Sequence, residues 1–400
     1  MTVSDRRGFL KKAVVSGSTI AVGLGLPAFS QKSAQNQTSS SKSSIVYRDL
    51  GSTGYKVSEI SMGCMNMRDP ELVHAAIDSG INYLDTAYVY MNGQNEEIIG
   101  QVMKTKRDKV FLTTKVGRNS TLKEVPKDVP REIETSLKRL RTDHADLLLI
   151  HHGGDTPAKV LSEEQMKVLD EARRRGQTRF VGYSTHTSDP KVYECTIESR
   201  FYDAVLLCYN IASPASLTKS IEKLRKAGIG VIAMKTLLNF NAQPKKPLDD
   251  IRDKNSKLSY SQALLKWVLS NQHVDAIISG MTSFEQLKEN TAIMGTKMSY
   301  NDRLMLRRFC ESMKGNHCFG LSGCTGCEGQ CPKGVRVCEL NRCLGYAYGY
   351  GDISIAWENY VQLPRSTRVN ICRDCDECTV KCVHGLNLTE TVQRAKKMFG

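Results

Sequence analysis

Residues 81–90 read Ile-Asn-Tyr-Leu-Asp-Thr-Ala-Tyr-Val-Tyr, an apolar strand that runs into a polar turn. The turn carries Asp85 and, further along, Tyr90. Two later apolar runs end in the same way: residues 110–115 end at Lys115, and residues 146–151 end at His151. Each of these polar side chains follows the carboxyl end of a predicted strand, which is where parallel βα barrels carry their catalytic groups.

These four residue types suit proton transfer to a carbonyl oxygen. A phenol with an ordinary pKa near ~10 is a weak acid at neutral pH, and a neighbouring cation stabilises the phenolate. Lys115 can supply that cation once Asp85 fixes its position, and His151 can orient a carbonyl group or relay a proton. We therefore predict that Tyr90 protonates a carbonyl oxygen whose carbon receives a hydride.

Eight short apolar runs alternate with helical segments from residue 45 onward. We predict strands over 59–64, 82–86, 109–115, 145–151, 179–184, 204–209, 230–235 and 275–280. This alternation is typical of βαβ units with a parallel sheet. The number of units favours a closed (β/α)8 TIM barrel over an open doubly wound sheet, and no Gly-x-Gly-x-x-Gly follows the first strand. A hairpin over 46–57 is predicted to close the barrel floor.

The ordered set of polar residues resembles the aldo/keto reductase superfamily over roughly residues 45–300. The Asp, Tyr, Lys and His tetrad of that family falls on Asp85, Tyr90, Lys115 and His151, and Glu-Glu-Ile-Ile-Gly follows at 96–100. The resemblance implies an NAD(P)-dependent oxidoreductase that acts on a small carbonyl or sugar-like substrate.

The same resemblance implies that a nicotinamide dinucleotide, NADP or NAD, lies across the top of the barrel. The matching positions are Ser184, Thr185, Asn210, Lys235, Gly280, Thr282, Ser283, Gln286, Glu289 and Asn290. Gly280 and Gln286 stand where many NADP-specific members carry Lys and Arg, so the choice between NADP and NAD stays open. Leu206 stands where a glutamine often contacts the nicotinamide. A barrel that binds no dinucleotide and serves as a scaffold for an electron-transfer protein is therefore the alternative.

Eleven of the fourteen cysteines lie after residue 309, which indicates a metal or disulfide module in residues 301–400. The spacing Cys-x2-Cys-x2-Cys-x3-Cys at 372–382 is the one by which bacterial ferredoxins hold a [4Fe–4S] cluster. The run at 318–331 is a looser version that also ends in Cys-Pro. Helical spacing over 335–368 completes the resemblance to an α-helical ferredoxin-like iron–sulfur domain.

In two-cluster ferredoxins the last cysteine of each run ligates the cluster of the other run. This scheme assigns one cluster to Cys318, Cys324, Cys327 and Cys382, and a second cluster to Cys372, Cys375, Cys378 and Cys331. Cys310, Cys338 and Cys343 are left over, any of them can replace Cys318, and a single cluster is an alternative. Zinc prefers two paired knuckles, and disulfides cannot bridge such dense runs locally, so both are weaker interpretations.

The N-terminus resembles an export signal. Residues 5–11 read Asp-Arg-Arg-Gly-Phe-Leu-Lys, so residues 1–30 resemble a twin-arginine signal peptide, and the polar residues 31–44 indicate a flexible linker. The resemblance implies export by the twin-arginine machinery to the periplasm, with membrane anchoring if the signal is not cleaved, and an external redox partner. The net charge of +14 is spread along the chain, so no nucleic-acid partner is predicted.

Overall fold

The computed structural model describes residues 45–118, 120–237, 257–313, 318, 324, 326–349, 353–361, 363–375 and 377–400. The predicted signal peptide and linker, residues 1–44, lie outside this part of the chain, so both remain predictions. No helix within the described ranges is long and apolar enough to cross a membrane.

Eight parallel strands close into a barrel. They are β3 (Ile60–Gly63), β4 (Tyr83–Asp85), β5 (Phe111–Val116), β6 (Ala145–Ile150), β7 (Thr178–Thr185), β8 (Ala204–Cys208), β9 (Gly230–Met234) and β10 (Ala276–Gly280). Their hydrogen-bonded ring order is β10-β3-β4-β5-β6-β7-β8-β9. Before the barrel, β1 (Tyr47–Asp49) and β2 (Lys56–Ser58) pair antiparallel, where the hairpin was predicted. The predicted (β/α)8 barrel is confirmed, and every predicted strand overlaps an observed one.

Helices separate the barrel strands. They are α1 (Pro70–Asp78), α2 (Gln94–Lys106), α3 (Val125–Leu140), α4 (Pro157–Val160), α5 (Glu163–Arg174), α6 (Pro190–Ser199), α7 (Ala215–Lys226) and α8 (Tyr260–Leu269), while α9 (Phe284–Thr291) and α10 (Tyr300–Met313) follow the last strand. Several begin at a side chain that accepts from a backbone N–H, as Asp69 does from Glu71 at 2.9 Å. Such caps satisfy donors that have no partner inside the helix.

Three more helices form a second hydrophobic core in the C-terminal region. They are α11 (Val337–Gly349), α12 (Ile353–Val361) and α13 (Leu388–Phe399). Tyr360 of α12 stacks on Phe399 of α13 with ring centroids 4.4 Å apart. Met65 of the barrel packs against this core, as do several cysteines. The predicted helical interval 335–368 thus contains α11 and α12, while the ferredoxin-like character of the region remains a prediction.

Candidate active site

Strand alternation brings the predicted catalytic side chains to the inner face of the barrel. Side chains two residues apart on a strand share a face. Phe111 belongs to the cluster that fills the barrel interior, so Lys115, four residues later, points to the same side. Tyr83 of β4 belongs to that cluster too, which places Asp85 on the inner face. Leu149 has the same relation to His151, which directly follows β6.

Lys115 is the centre of the hydrogen-bonded group. Its Nζ donates to Asp85 Oδ1 at 2.5 Å and to the Thr86 carbonyl at 2.6 Å. The same Nζ lies 3.2 Å from Tyr90 Oη. Lys115 and Asp85 are each about 1% exposed, so the ion pair is shielded from water. The ammonium therefore acts on the tyrosine oxygen without screening by solvent.

The ion pair keeps Lys115 charged. Burial alone would lower the pKa of the Lys115 ammonium, but the charges and hydrogen bonds of Asp85 and Tyr90 outweigh burial and raise it. Burial raises the pKa of the Asp85 carboxyl, and Lys115 opposes that rise. With an N–O distance of 2.5 Å, the pair is best described as ammonium and carboxylate.

A tight loop holds Tyr90. Met91 and Asn92 adopt left-handed φ values of 51° and 53°, and Gly93 follows at 94°. The φ of Gly93 lies in the left-handed region that favours glycine, and a Cβ there would also meet the Arg139 guanidinium. These backbone constraints fix Tyr90 over Lys115, with the Lys115 Nζ 4.7 Å from the centre of its ring.

His151 stands beside Tyr90 and is uncharged at neutral pH. Its ring meets the Tyr90 ring edge-on at 5.9 Å and stacks on His152 at 5.1 Å. Burial, followed by the charges of Arg118 and His152, holds the pKa of His151 well below its ordinary value. A neutral imidazole can donate or accept a hydrogen bond at a carbonyl oxygen. It adds no positive charge to the site.

One cavity of about 350 Å³ joins these residues to most of the predicted dinucleotide contacts. Its lining includes all four predicted catalytic residues together with Ser184, Lys235, Gly280, Thr282, Gln286, Glu289 and Asn290. The lining therefore combines a proton-donating end with the start of α9, where backbone N–H groups favour an anion. These residues fit a dinucleotide that extends from the nicotinamide end near Tyr90 to α9.

Three predicted cofactor residues do not line the cavity. Thr185 Oγ1 donates to the Gly154 carbonyl at 2.9 Å, and Ser283 caps α9 by accepting from the Gln286 N–H. Asn210 Nδ2 donates to the Lys235 carbonyl at 3.1 Å. Their side chains are occupied by local contacts, so they shape the loops around the site. Leu206 is fully buried in the barrel interior.

Other lining residues were missed by sequence reasoning. Arg118 follows β5 by two residues. Its place directly after Lys115-Val-Gly could have predicted that it lies near the site. Arg342 and Tyr346 come from α11, and Asn359 comes from α12. Nothing local in the sequence shows that these helices reach the barrel mouth. Tyr346 Oη accepts from Lys235 Nζ at 3.0 Å, which ties α11 to the loop after β9.

The four cysteines assigned to one predicted cluster act on one another electrostatically. Burial raises the pKa of the Cys372 thiol, and the nearby thiols of Cys331, Cys375 and Cys378 raise it further. These are the four residues assigned to one cluster. The fold therefore brings Cys331 close to a run that begins forty-one residues later in the chain.

The other predicted cluster was assigned to Cys318, Cys324, Cys327 and Cys382. Burial raises the pKa of the Cys324 thiol, with smaller contributions from the thiols of Cys327 and Cys382. Cys318, the fourth member, packs against the C-terminal core. None of the cysteines is disulfide-bonded. No three His, Cys, Asp or Glu side chains in the described ranges are arranged to hold a single metal ion.

Comparisons with known proteins agree on one family. The sequence model described as "Aldo/keto reductase family" matches residues 65–305. An uncharacterized oxidoreductase of Bacillus subtilis is 26% identical over 279 residues, which are 61% of this chain and 89% of that protein. L-galactose dehydrogenase of Arabidopsis thaliana is 25% identical over 281 residues, covering 62% and 88%. An aldo-keto reductase structure from Bacillus halodurans shares the fold, with a TM-score of 0.56, 21% identity and coverage of 66% and 96%.

Proposed function

We propose that this chain, which belongs to the aldo/keto reductase family of NAD(P)-dependent oxidoreductases, interconverts a small carbonyl or sugar-like compound and the corresponding alcohol. The observation that carries the proposal is the buried contact of Lys115 Nζ with Asp85 and with Tyr90 Oη at the cavity wall. A sugar-like substrate is also supported by the relative named L-galactose dehydrogenase.

The residues of the site divide the chemistry between them. When bound, a dihydronicotinamide would supply the hydride, and with it the two electrons, that reduce the carbonyl carbon. As the C=O π bond breaks, the carbonyl oxygen takes the proton of Tyr90 Oη. Lys115 Nζ, which lies 3.2 Å from Tyr90 Oη, stabilises the phenolate that forms when Tyr90 gives up its proton. Neutral His151 orients the carbonyl oxygen, and solvent returns the proton to Tyr90. Alcohol oxidation runs through the same steps in reverse.

The dinucleotide is NADP or NAD. Support comes from the lining of the cavity, where Lys235 provides positive charge and the start of α9 provides the positive end of a helix dipole for a pyrophosphate. Gln286 Oε1 accepts from the Thr282 N–H at 2.7 Å, and neither residue provides a cation for a 2′-phosphate. Fluorescence titration with NADPH and NADH measures the choice.

The test is turnover by wild type and Tyr90→Phe. Removal of a general acid lowers the rate by about 10²–10⁴-fold. We expect a loss of that size in kcat/KM for aldehyde reduction, with dinucleotide affinity unchanged, because Tyr90 contributes only its hydroxyl to the reaction. Full activity of Tyr90→Phe would contradict the assignment. Failure of wild type to bind either dinucleotide would favour the scaffold alternative.

We also propose that the C-terminal cysteines hold iron–sulfur clusters of the [4Fe–4S] type, which exchange electrons with an external redox partner. The proximity of Cys331 to the 372–378 run supports the crossed assignment, since that pairing is typical of two-cluster ferredoxins. Four thiols around a cluster stand farther apart than four thiols around one ion, because the cluster lies between them.

Iron and sulfide analysis after anaerobic purification tests the clusters. Cys331→Ser should remove about half of the iron if two clusters are present. Cys195→Ala, which changes a buried thiol of α6, is the matched control and should keep all of it. Equal iron in the two variants would contradict the crossed assignment, and iron-free wild type would contradict the clusters themselves.

Export by the twin-arginine route is a further part of the proposal. It is supported by the paired residues Arg6 and Arg7 ahead of a mildly apolar segment. Fractionation of cells that express wild type or the double variant Arg6→Lys/Arg7→Lys measures it. We expect periplasmic protein only from wild type, and equal distribution of both proteins would contradict export by this route.

A further inference from the structure

The cavity is lined by more cations than carboxylates. Lys115, Arg118, Lys235 and Arg342 contribute positive side chains, whereas Asp85 and Glu289 contribute the carboxylates. Charges in a cavity with little water act strongly on each other. A cation in the cavity wall that has no partner within the protein is therefore a candidate to bind an anionic ligand.

Three of the cations have partners within the protein. Lys115 pairs with Asp85 at 2.5 Å, and Lys235 Nζ donates to Tyr346 Oη at 3.0 Å. The third cation with a partner is Arg342 of α11. Glu289, at the far end of the cavity, accepts a hydrogen bond from Ser259 Oγ.

Arg342 is also fully engaged. Its Nη2 and Nε donate to Glu339 Oε2 at 2.7 Å and 2.9 Å, and its Nη1 donates to Asn359 Oδ1 at 2.9 Å. Burial opposes its charge, yet the Glu339 carboxylate more than compensates and holds the pKa of Arg342 well above its ordinary value. Each of the three guanidinium nitrogens of Arg342 therefore already has a partner within the protein.

Arg118 is different. Its guanidinium has no hydrogen bond or ion pair with any residue in the part of the chain that the structure describes, although it lies in the cavity wall. Burial, and then the charge of Arg342, lower the pKa of Arg118. Glu339 favours the charged form of Arg118 but makes no ion pair with it, and a partly buried cation without a paired counter-ion is unfavourable. A bound anion would remove that cost.

The position of Arg118 indicates which anion this is. Arg118 follows β5, whereas Lys235 follows β9, and in the ring order three strands lie between β5 and β9 in either direction. Arg118 therefore lies across the barrel from the loop proposed to contact the pyrophosphate. It lines the same cavity as Tyr90, and Tyr90, Glu339 and Tyr346 all favour its charged form.

We propose that Arg118 binds a carboxylate carried by the substrate, so that the enzyme reduces carbonyl acids in preference to neutral carbonyl compounds. The inference rests on the proposed function and adds the substrate class. The C-terminal region contributes to the same cavity, since Arg342 and Asn359 also line it. A guanidinium suits the task, because its planar donors match the two oxygens of a carboxylate.

Paired substrates test the proposal. Glyoxylate, succinic semialdehyde and the methyl ester of each are compared in wild type, Arg118→Gln and Arg118→Lys. A hydrogen-bonded charge pair corresponds to about a 10–100-fold change. We expect Arg118→Gln to lower kcat/KM for at least one acid by that factor relative to its ester, with partial recovery in Arg118→Lys. Arg131→Gln, an equal charge change on the exposed side of α3, should leave the ratio as in wild type.

A binding measurement separates this inference from the proposed function. Malonate should raise the Tm of wild type but not that of Arg118→Gln, whether or not any carbonyl is turned over. In the absence of malonate, Arg118→Gln should be at least as stable as wild type, because an unpaired, partly buried charge has been removed. Equal acid-to-ester ratios in the two proteins would overturn the proposal. So would a loss of NADPH affinity in Arg118→Gln, which would assign the anion to the dinucleotide.

Discussion

Replacing Asp85 by asparagine perturbs the centre of the site and has a magnitude that follows from burial. Asp85 and Lys115 are each about 1% exposed and 2.5 Å apart. Removing one charge of such a pair leaves the other buried without compensation, which costs about 3–5 kcal/mol. We expect Asp85→Asn to lower the free energy of unfolding by this amount. The double variant Asp85→Asn/Lys115→Met should recover most of it, because neither charge remains.

The same variant should acquire a pH-dependent stability. In wild type, Asp85 keeps the pKa of Lys115 raised, so this ammonium stabilises the fold below its ordinary pKa of 10.5. Without Asp85, burial lowers that pKa below the value in the unfolded chain. The unfolded chain then binds more protons, so stability should rise with pH up to about 10.5. The double variant, which has no lysine at this position, should lack the rise.

The assay is urea unfolding of the three proteins at several pH values. Trp267 fluorescence reports on the barrel when Trp357, in the C-terminal region, is replaced by Phe in every protein. A destabilisation below about 1 kcal/mol in Asp85→Asn would be that of an exposed ion pair. It would refute the description of this pair as buried and charged.

Three further predictions concern packing, docking and protonation. Gly100→Ala should lower the free energy of unfolding by at least about 2 kcal/mol in a urea titration, since the new Cβ would lie 2.1 Å from a backbone oxygen at the end of α3. Tyr346→Phe should destabilise the C-terminal region by about 1.5–3 kcal/mol, read from Trp357 fluorescence, because the acceptor of a lysine hydrogen bond is lost. In wild type, the plot of kcat/KM against pH should contain no titration with a midpoint near pH ~6.5 that belongs to His151, because the pKa of His151 is strongly depressed. Replacing His151 by Gln should therefore remove no titration near that pH.

The barrel and the catalytic set were predictable because both depend on short-range patterns. Each barrel strand is an apolar run bounded by polar residues, and alternation along β5 carries Lys115 to the same face as the interior residue Phe111. The tetrad was assigned from the resemblance, and the structure brings its members to one cavity.

The rest of the cavity depends on tertiary docking, which no local pattern contains. Arg342 and Tyr346 are more than two hundred residues from Lys115 in the chain, and they reach the barrel mouth only because α11 packs there. Sequence reasoning also placed Thr185 and Asn210 among the cofactor contacts, since the strand ends match. In the structure their side chains donate hydrogen bonds to nearby backbone carbonyls, contacts that spacing alone cannot reveal.

Hydride transfer assisted by Tyr90 is the central claim, and isotope transfer tests it most directly. Purified wild type is incubated with an aldehyde and NADPH that carries deuterium at the transferable position of the nicotinamide ring, and the alcohol is analysed by mass spectrometry. We expect wild type to form alcohol with one deuterium on the carbinol carbon, and Tyr90→Phe to form about 10²–10⁴-fold less of this alcohol in the same time. An alcohol whose new hydrogen on carbon comes only from solvent, or equal amounts of labelled alcohol from both proteins, would contradict the claim.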